Sequence, residues 1–157
     1  MRELILLRHA HAEPATPGQD DRDRPLSAIG RAEAAAAGDW LRAHGRLPQR
    51  ILCSPARRTR ETLAGLGDLG GAEVREVPAI YDATAGTLAA LAEAHAEVVR
   101  LLIIGHNPGL ERLAALLHSG QSGEYRGMPP AGIAVLECAP GQPIEPGTAR
   151  LVHFWWP

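Results

Sequence analysis

Three short apolar runs in this chain each stop abruptly at a histidine or an arginine. Leu4-Ile5-Leu6-Leu7 runs straight into Arg8-His9-Ala10. Ile51-Leu52-Cys53 gives way to Ser54-Pro55-Ala56-Arg57-Arg58, and Leu101-Leu102-Ile103-Ile104 to Gly105-His106-Asn107-Pro108-Gly109. The runs are continuous rather than alternating, as strands buried on both faces are. If they are parallel neighbours, their carboxyl ends lie along one edge of one sheet. Arg8, His9, Ser54, Arg58 and His106 would then meet at that edge, where open parallel sheets bind ligands.

The segments between these runs predict helices. Ser27 can cap a helix from Ala28 to about Ala43, whose Ala-rich stretch has high helix propensity. Ser54 as N-cap and Pro55 at the first helical position predict a second helix through about Leu66. Residues 73–77 read as a short strand. Residues 86–97 read as an amphipathic helix with Leu88, Leu91 and Ala92 on one face. Residues 100–104 form another buried strand, and Pro108 opens a helix to about His118. Residues 132–138 and 148–155 read as strands joined by the turn Pro140 to Gly147, so they pair antiparallel at a sheet edge. Residues 10–26 and 119–131 read as loops. The first carries Asp20-Asp21-Arg22-Asp23-Arg24 and is either a lid or solvated surface. The whole pattern predicts a three-layer α/β/α sandwich with a mostly parallel sheet and an antiparallel edge.

The 157 residues fit a single domain over 1–157 and can bury a substantial core. A net charge of −2 gives no reason to expect a nucleic-acid or membrane partner. The first apolar run is too short for a signal segment or a membrane span, which reads as a cytoplasmic protein. Cys53 and Cys138 sit in apolar contexts and read as buried small hydrophobes. His11, His44, His95, His118 and His153 show no metal-ligand spacing, and neither a metal nor another cofactor is expected. Trp40, Trp155 and Trp156 read as packing against or covering the core.

Two histidines and two or three arginines at one edge suit phosphoryl transfer. That reaction needs an in-line nucleophile and positive donors around the equatorial oxygens. A neutral imidazole is a competent nucleophile, and nearby guanidinium groups disfavour its protonation. A backbone carbonyl on its other ring nitrogen would fix the tautomer. Arginine suits phosphate better than lysine, and the chain contains no lysine.

Leu7-Arg8-His9-Ala10, the Ser54-to-Thr62 run SPARRTRET and Gly105-His106-Asn107-Pro108 resemble the histidine phosphatase superfamily, whose fold is phosphoglycerate-mutase-like. The Asp23-Arg24-Pro25-Leu26-Ser27 segment is similar to its SixA-type phosphohistidine phosphatase branch. The likeness spans nearly the whole chain. It implies that His9 is the nucleophile, that Arg8 and Arg58 bind phosphoryl oxygens, and that His106 donates to the phosphoryl group. Arg24 would add a phosphate or substrate contact, whereas Arg57 and Arg60 read as surface residues. Ala10 and Thr59 depart from the family's usual glycine and alanine.

The general acid is open. The acid phosphatase branch carries an aspartate at the position of Asn107, which cannot supply a proton. Asp82 and Glu13 are the candidates. A phosphohistidine substrate relaxes the need, because imidazole leaves more readily than an alkoxide. The resemblance therefore implies a metal-independent phosphatase working through a phospho-His9 intermediate on phosphohistidine carried by a protein, such as a phosphotransfer domain. A small phosphate ester is the alternative substrate, and a non-catalytic phosphohistidine-binding module is the alternative from another class.

Overall fold

The computed structural model describes residues 2–120 and 127–157. Six strands form one sheet: β1 (Arg2–Arg8), β2 (Arg50–Cys53), β3 (Glu73–Glu76), β4 (Arg100–Gly105), β5 (Ile133–Cys138) and β6 (Ala149–Trp155). Their order is β3-β2-β4-β1-β5-β6. The first four strands run parallel, whereas β5 is antiparallel to β1 and β6 to β5. The helices are α1 (Ala28–Ala43), α2 (Arg57–Gly65), α3 (Ala85–Ala94) and α4 (Gly109–Ser119).

Alternation along the central strands builds two cores. Ile5, Leu7, Ile51, Leu102 and Ile104 pack with Ala34, Ala37 and Leu41 of α1 and with Leu66 just beyond α2. Leu4, Leu6, Leu52, Leu101 and Ile103 face the other way, onto Leu88 and Ala92 of α3 and Leu110, Leu113 and Leu117 of α4. Successive strand residues point to opposite faces, so a run apolar at every position belongs between two helical layers. The predicted sandwich is the one observed.

Charged residues at the amino-terminal end of β1 are buried but paired. Glu3 meets Arg46 and accepts from Arg100 Nε at 2.7 Å, while Arg2 reaches Glu93 and the Ala92 carbonyl. Burial of such groups is tolerable only with partners of this kind.

Element limits shift in ways the side chains explain. The second helix starts at Arg57, not Pro55, and its N-cap is Ala56, which makes no side-chain cap bond. Ser54 is therefore not a cap, because its hydroxyl is used at the sheet edge. The third helix spans Ala85–Ala94 and is capped by Thr84 through the Thr87 N–H, one residue earlier than the sequence pattern indicates. The fourth has Pro108 as its N-cap. The 10–26 segment contains a 3-10 turn at Asp21–Asp23 and an Ala12–Leu26 bridge that closes its base. In the expected 119–131 loop, residues 121–126 lie outside the described residues. Trp40 and Trp155 pack against the core, but Trp156 is half-exposed, in a T-shaped ring contact with Phe154.

Close approach of the two helices on one face requires a glycine. A Cβ on Gly38 would lie 2.0 Å from the Leu66 carbonyl oxygen, which is backbone and cannot swing aside. Gly38→Ala is expected to destabilise the protein by about 2 kcal/mol even though alanine favours helix. A urea unfolding midpoint below the wild-type value checks it.

Candidate active site

Strand register brings the two motif histidines together. Arg8 pairs with Gly105 across β1 and β4, and Cys53 pairs with Ile104 across β2 and β4. Each strand thus ends within a residue of its neighbours. His9 N–H donates to the Gly105 carbonyl at 3.0 Å, and Ser54 N–H donates to Ile104 at 3.1 Å. His9 and His106 follow directly, with ring centroids 5.3 Å apart.

His9 Nδ1 lies 2.7 Å from the carbonyl of Ala10. A carbonyl only accepts, so Nδ1 carries the proton and Nε2 keeps its lone pair. The imidazole is pushed down to about pKa 4 by burial, with the charges of Arg58, Arg8 and Arg24 acting in the same sense. His106 is pushed down to about 3, again by burial first and then by His9 and Arg58. Both rings are uncharged at neutral pH. Ala10, at the family's glycine position, is fully buried, and its N–H donates to Thr62 Oγ1 at 3.0 Å.

The arginines are braced by the protein. Arg8 Nη1 donates to the Met128 carbonyl at 2.8 Å, and Asn107 Nδ2 donates to the same oxygen at 2.9 Å. Arg58 is almost fully buried and gives Nη1 to the Asp21 carbonyl at 2.8 Å and Nη2 to the Asp21 carboxylate at 3.0 Å. Arg24 Nη1 reaches the other Asp21 oxygen at 3.1 Å, and its Nε donates to the Glu13 carbonyl at 2.8 Å. Arg8 Nε, Arg58 Nε and His106 Nδ1 are buried with no hydrogen-bond partner among the described residues. The two guanidinium N–H donors in that condition gain most from an incoming anion.

The structure brings Arg8, His9, Arg58 and His106 to one edge and sets Arg24 beside them through Asp21. Arg57 is exposed and pairs with Glu61, and Arg60 bonds the Pro55 carbonyl. Asp82 is exposed and lines a cavity of about 240 Å³ with Tyr81, Thr84, His106, Asn107 and Arg112. Glu13 is exposed on the loop, where its backbone binds Pro25 and Arg24. Cys53 and Cys138 are free and buried, and burial pushes the Cys53 thiol up to about 12. Among the described residues no group of three or more His, Cys, Asp or Glu could hold a metal ion.

Two residues of this edge carry no signal in the linear pattern. Asp21 sits in a charged cluster that could equally be surface. Its carboxylate binds Arg58 and Arg24 and also receives the Tyr81 hydroxyl. Tyr81 packs edge-on against His106 at 5.4 Å, and Arg22 lies over its ring at 4.5 Å.

A six-stranded α/β sheet with paired neutral histidines and three arginines at one edge is that of a phosphatase-type hydrolase. The sequence pattern of the histidine phosphatase superfamily (branch 1) matches residues 4–101, and the chain belongs to that superfamily. It is 38% identical over 157 residues to the uncharacterized protein Rv1276c of Mycobacterium tuberculosis, covering 94% of this chain and 98% of that protein. Its structure is similar to that of a proposed SixA phosphohistidine phosphatase from Nakamurella multipartitia. That match has a TM-score of 0.86 and 32% identity, over 99% of this chain and 96% of that one. The protein histidine phosphatase SixA, solved with tungstate, superposes with a TM-score of 0.80 at 25% identity, over 98% and 96% of the two chains. No helix among the described residues is long and apolar enough to cross a membrane.

Two titrations follow from these environments. In an NMR pH titration the His9 ring is expected to protonate near pH 4, not at its ordinary 6.5. Asp21 is held down to about 2 by the Tyr81 hydroxyl first, then by Arg24 and Arg58, against an ordinary 3.8. A depressed carboxyl stabilises the fold above its unfolded pKa and loses that contribution as pH falls through the folded one. The stability gap between wild type and Asp21→Asn is therefore expected to be constant above about pH 5 and to close toward about pH 2, measured by urea unfolding across that range.

Proposed function

We propose that this protein is a metal-independent phosphohistidine phosphatase that works through a phospho-His9 intermediate. The observation that carries the reading is the pair of uncharged histidines 5.3 Å apart among Arg8, Arg24 and Arg58. His9 Nε2, with its lone pair free, attacks phosphorus. Arg8 and Arg58 take charge from the equatorial oxygens, and His106 donates to them. The bond from phosphorus to the leaving group breaks, and water then releases phosphate from His9. Arg24 contributes positive charge near the same oxygens.

The leaving group decides the substrate class. Asn107 has no proton to give, and Asp21 is ionised through its bonds to Tyr81, Arg24 and Arg58. An imidazole leaving group needs no strong acid, which supports phosphohistidine on a protein such as a phosphotransfer domain. The similarity to the SixA proteins points the same way. A second reading, a phosphatase of small phosphate monoesters, is favoured by one feature. The cavity beside His106 carries the Asp82 carboxyl, which could serve as acid there.

The test compares kcat/KM on a phosphohistidine-bearing phosphotransfer domain and on an aryl phosphate, with a chelator present. The phosphohistidine is expected to be preferred, His9→Ala to be inactive, and Arg58→Ala to lose about 10²–10³-fold. Near-normal turnover by His9→Ala would sink the mechanism. Preference for the aryl ester would move the substrate to small monoesters and Asp82 into the acid role. Tight binding of the phosphoprotein without turnover would make the protein a binding module.

A further inference from the structure

Ser54 opens the motif in which Arg58 is the obvious functional residue, and its place before Pro55 makes it look like a helix cap. The helix it would cap begins three residues later, at Arg57. Its side chain is instead fully buried against His106, with Oγ 2.7 Å from His106 Nε2. The backbone around it is pinned on both sides. Its N–H binds Ile104, and its carbonyl accepts from Thr59 Oγ1 at 2.9 Å. Oγ therefore has little freedom to move away from the ring.

Two proton arrangements satisfy the 2.7 Å contact. In one, Nε2–H donates to Oγ. In the other, the hydroxyl donates to a bare Nε2 and the ring proton sits on Nδ1. The remaining contact of Oγ separates them. Among the described residues Oγ has two partners, His106 Nε2 and the Ala56 N–H, which donates to it at 3.3 Å. If Oγ accepted from both, its own hydrogen would be buried without an acceptor, a condition buried hydroxyls rarely show. If it accepts from Ala56 and donates to Nε2, both its bonds are made. His106 Nδ1, which has no partner among the described residues, then carries the proton.

We infer that Ser54 is a positioning residue that locks neutral His106 in its Nδ1–H tautomer, so that the ring offers a hydrogen-bond donor, not a lone pair, to a phosphoryl oxygen. The inference rests on the proposed role of His106 as that donor. It removes a difficulty in that role. A ring that is uncharged at neutral pH can donate only from the nitrogen that holds its single proton, and the opposite tautomer would set a lone pair against an anion. Ser54 settles the matter before substrate arrives, with no reorganisation needed during the reaction.

Nitrogen-15 NMR of the imidazole rings reads the tautomer directly. In the wild-type protein at neutral pH, His106 is expected to show a protonated Nδ1 and a bare Nε2. In Ser54→Ala that bias is expected to be lost, while His9, whose Nδ1–H is held by the Ala10 carbonyl, keeps its pattern and reports an intact site. With the tautomer released, kcat is expected to fall by about tenfold, with KM changing much less. A wild-type His106 protonated on Nε2 would overturn the inference without recourse to any variant. So would a Ser54→Ala protein that retains the Nδ1–H signature. Failure of the phosphatase reading would appear separately, as turnover surviving His9→Ala, and would leave the ring signals unchanged.

Discussion

Parallel pairing of β1 with β4 in the register Arg8 to Gly105 is the constraint on which the rest depends. Strand ends in a parallel sheet share one edge, but only register decides which side chains there are level. One residue of slip would send His9 to the opposite face of the sheet from its present partners, because side-chain direction alternates at every step. The register is held by apolar residues packed on both faces, Leu4 and Leu6 into one core and Ile5 and Leu7 into the other. A slip would therefore move every one of those residues into the wrong layer. The accuracy of the site is inherited from the burial of the strands that end in it.

The second constraint is electrostatic. Arg8, Arg24 and Arg58 converge on one edge, and each is held there by anionic or carbonyl partners. Asp21 supplies a carboxylate shared between Arg58 and Arg24, and its backbone carbonyl takes a third N–H. Met128 supplies a carbonyl to Arg8. These partners occupy terminal nitrogens and leave Arg8 Nε and Arg58 Nε buried and unpaired among the described residues. Burial keeps His9 and His106 uncharged, and the same positive field acts in the same sense. One cluster thus orders the cations, adds to the bias toward uncharged imidazoles and, among the described residues, remains short of acceptors.

The sheet and the four motif residues were legible in the sequence because each is dictated locally. A short continuous apolar run bounded by turn signals fits a strand covered on both sides, and His9, His106, Arg8 and Arg58 lie next to such runs or on the helix that follows. What was not legible depends on contacts between segments far apart in the chain. Asp21 meets Tyr81 across 60 residues and Arg58 across 37. Nothing in its own neighbourhood distinguishes it from Asp20 or Asp23. Ser54 was misread for the opposite reason. Its local context, serine before proline before a helical run, is a complete cap signal, and only the buried imidazole 52 residues away takes the hydroxyl elsewhere. Thr84 shows the signal working when no such competitor exists.

The 10–26 segment illustrates how loop and site are tied in energy as well as in space. A loop rich in charge would ordinarily remain solvated, since ordering it loses conformational entropy. Here Asp21 places one carboxylate against two guanidinium groups and a phenol, and the Ala12–Leu26 bridge closes the base. Neutralising Asp21 would weaken the loop and release Arg58 together, so the order of this segment and the position of the Arg58 charge are not independent. Its carboxylate is consequently a poor candidate for proton donor, because the bonds that make it structural are those that keep it ionised. With Asn107 an amide, the acid chemistry of the edge is confined to groups outside the arginine cluster. On the phosphohistidine reading proposed above, a reaction run from within the cluster has a leaving group that departs without one.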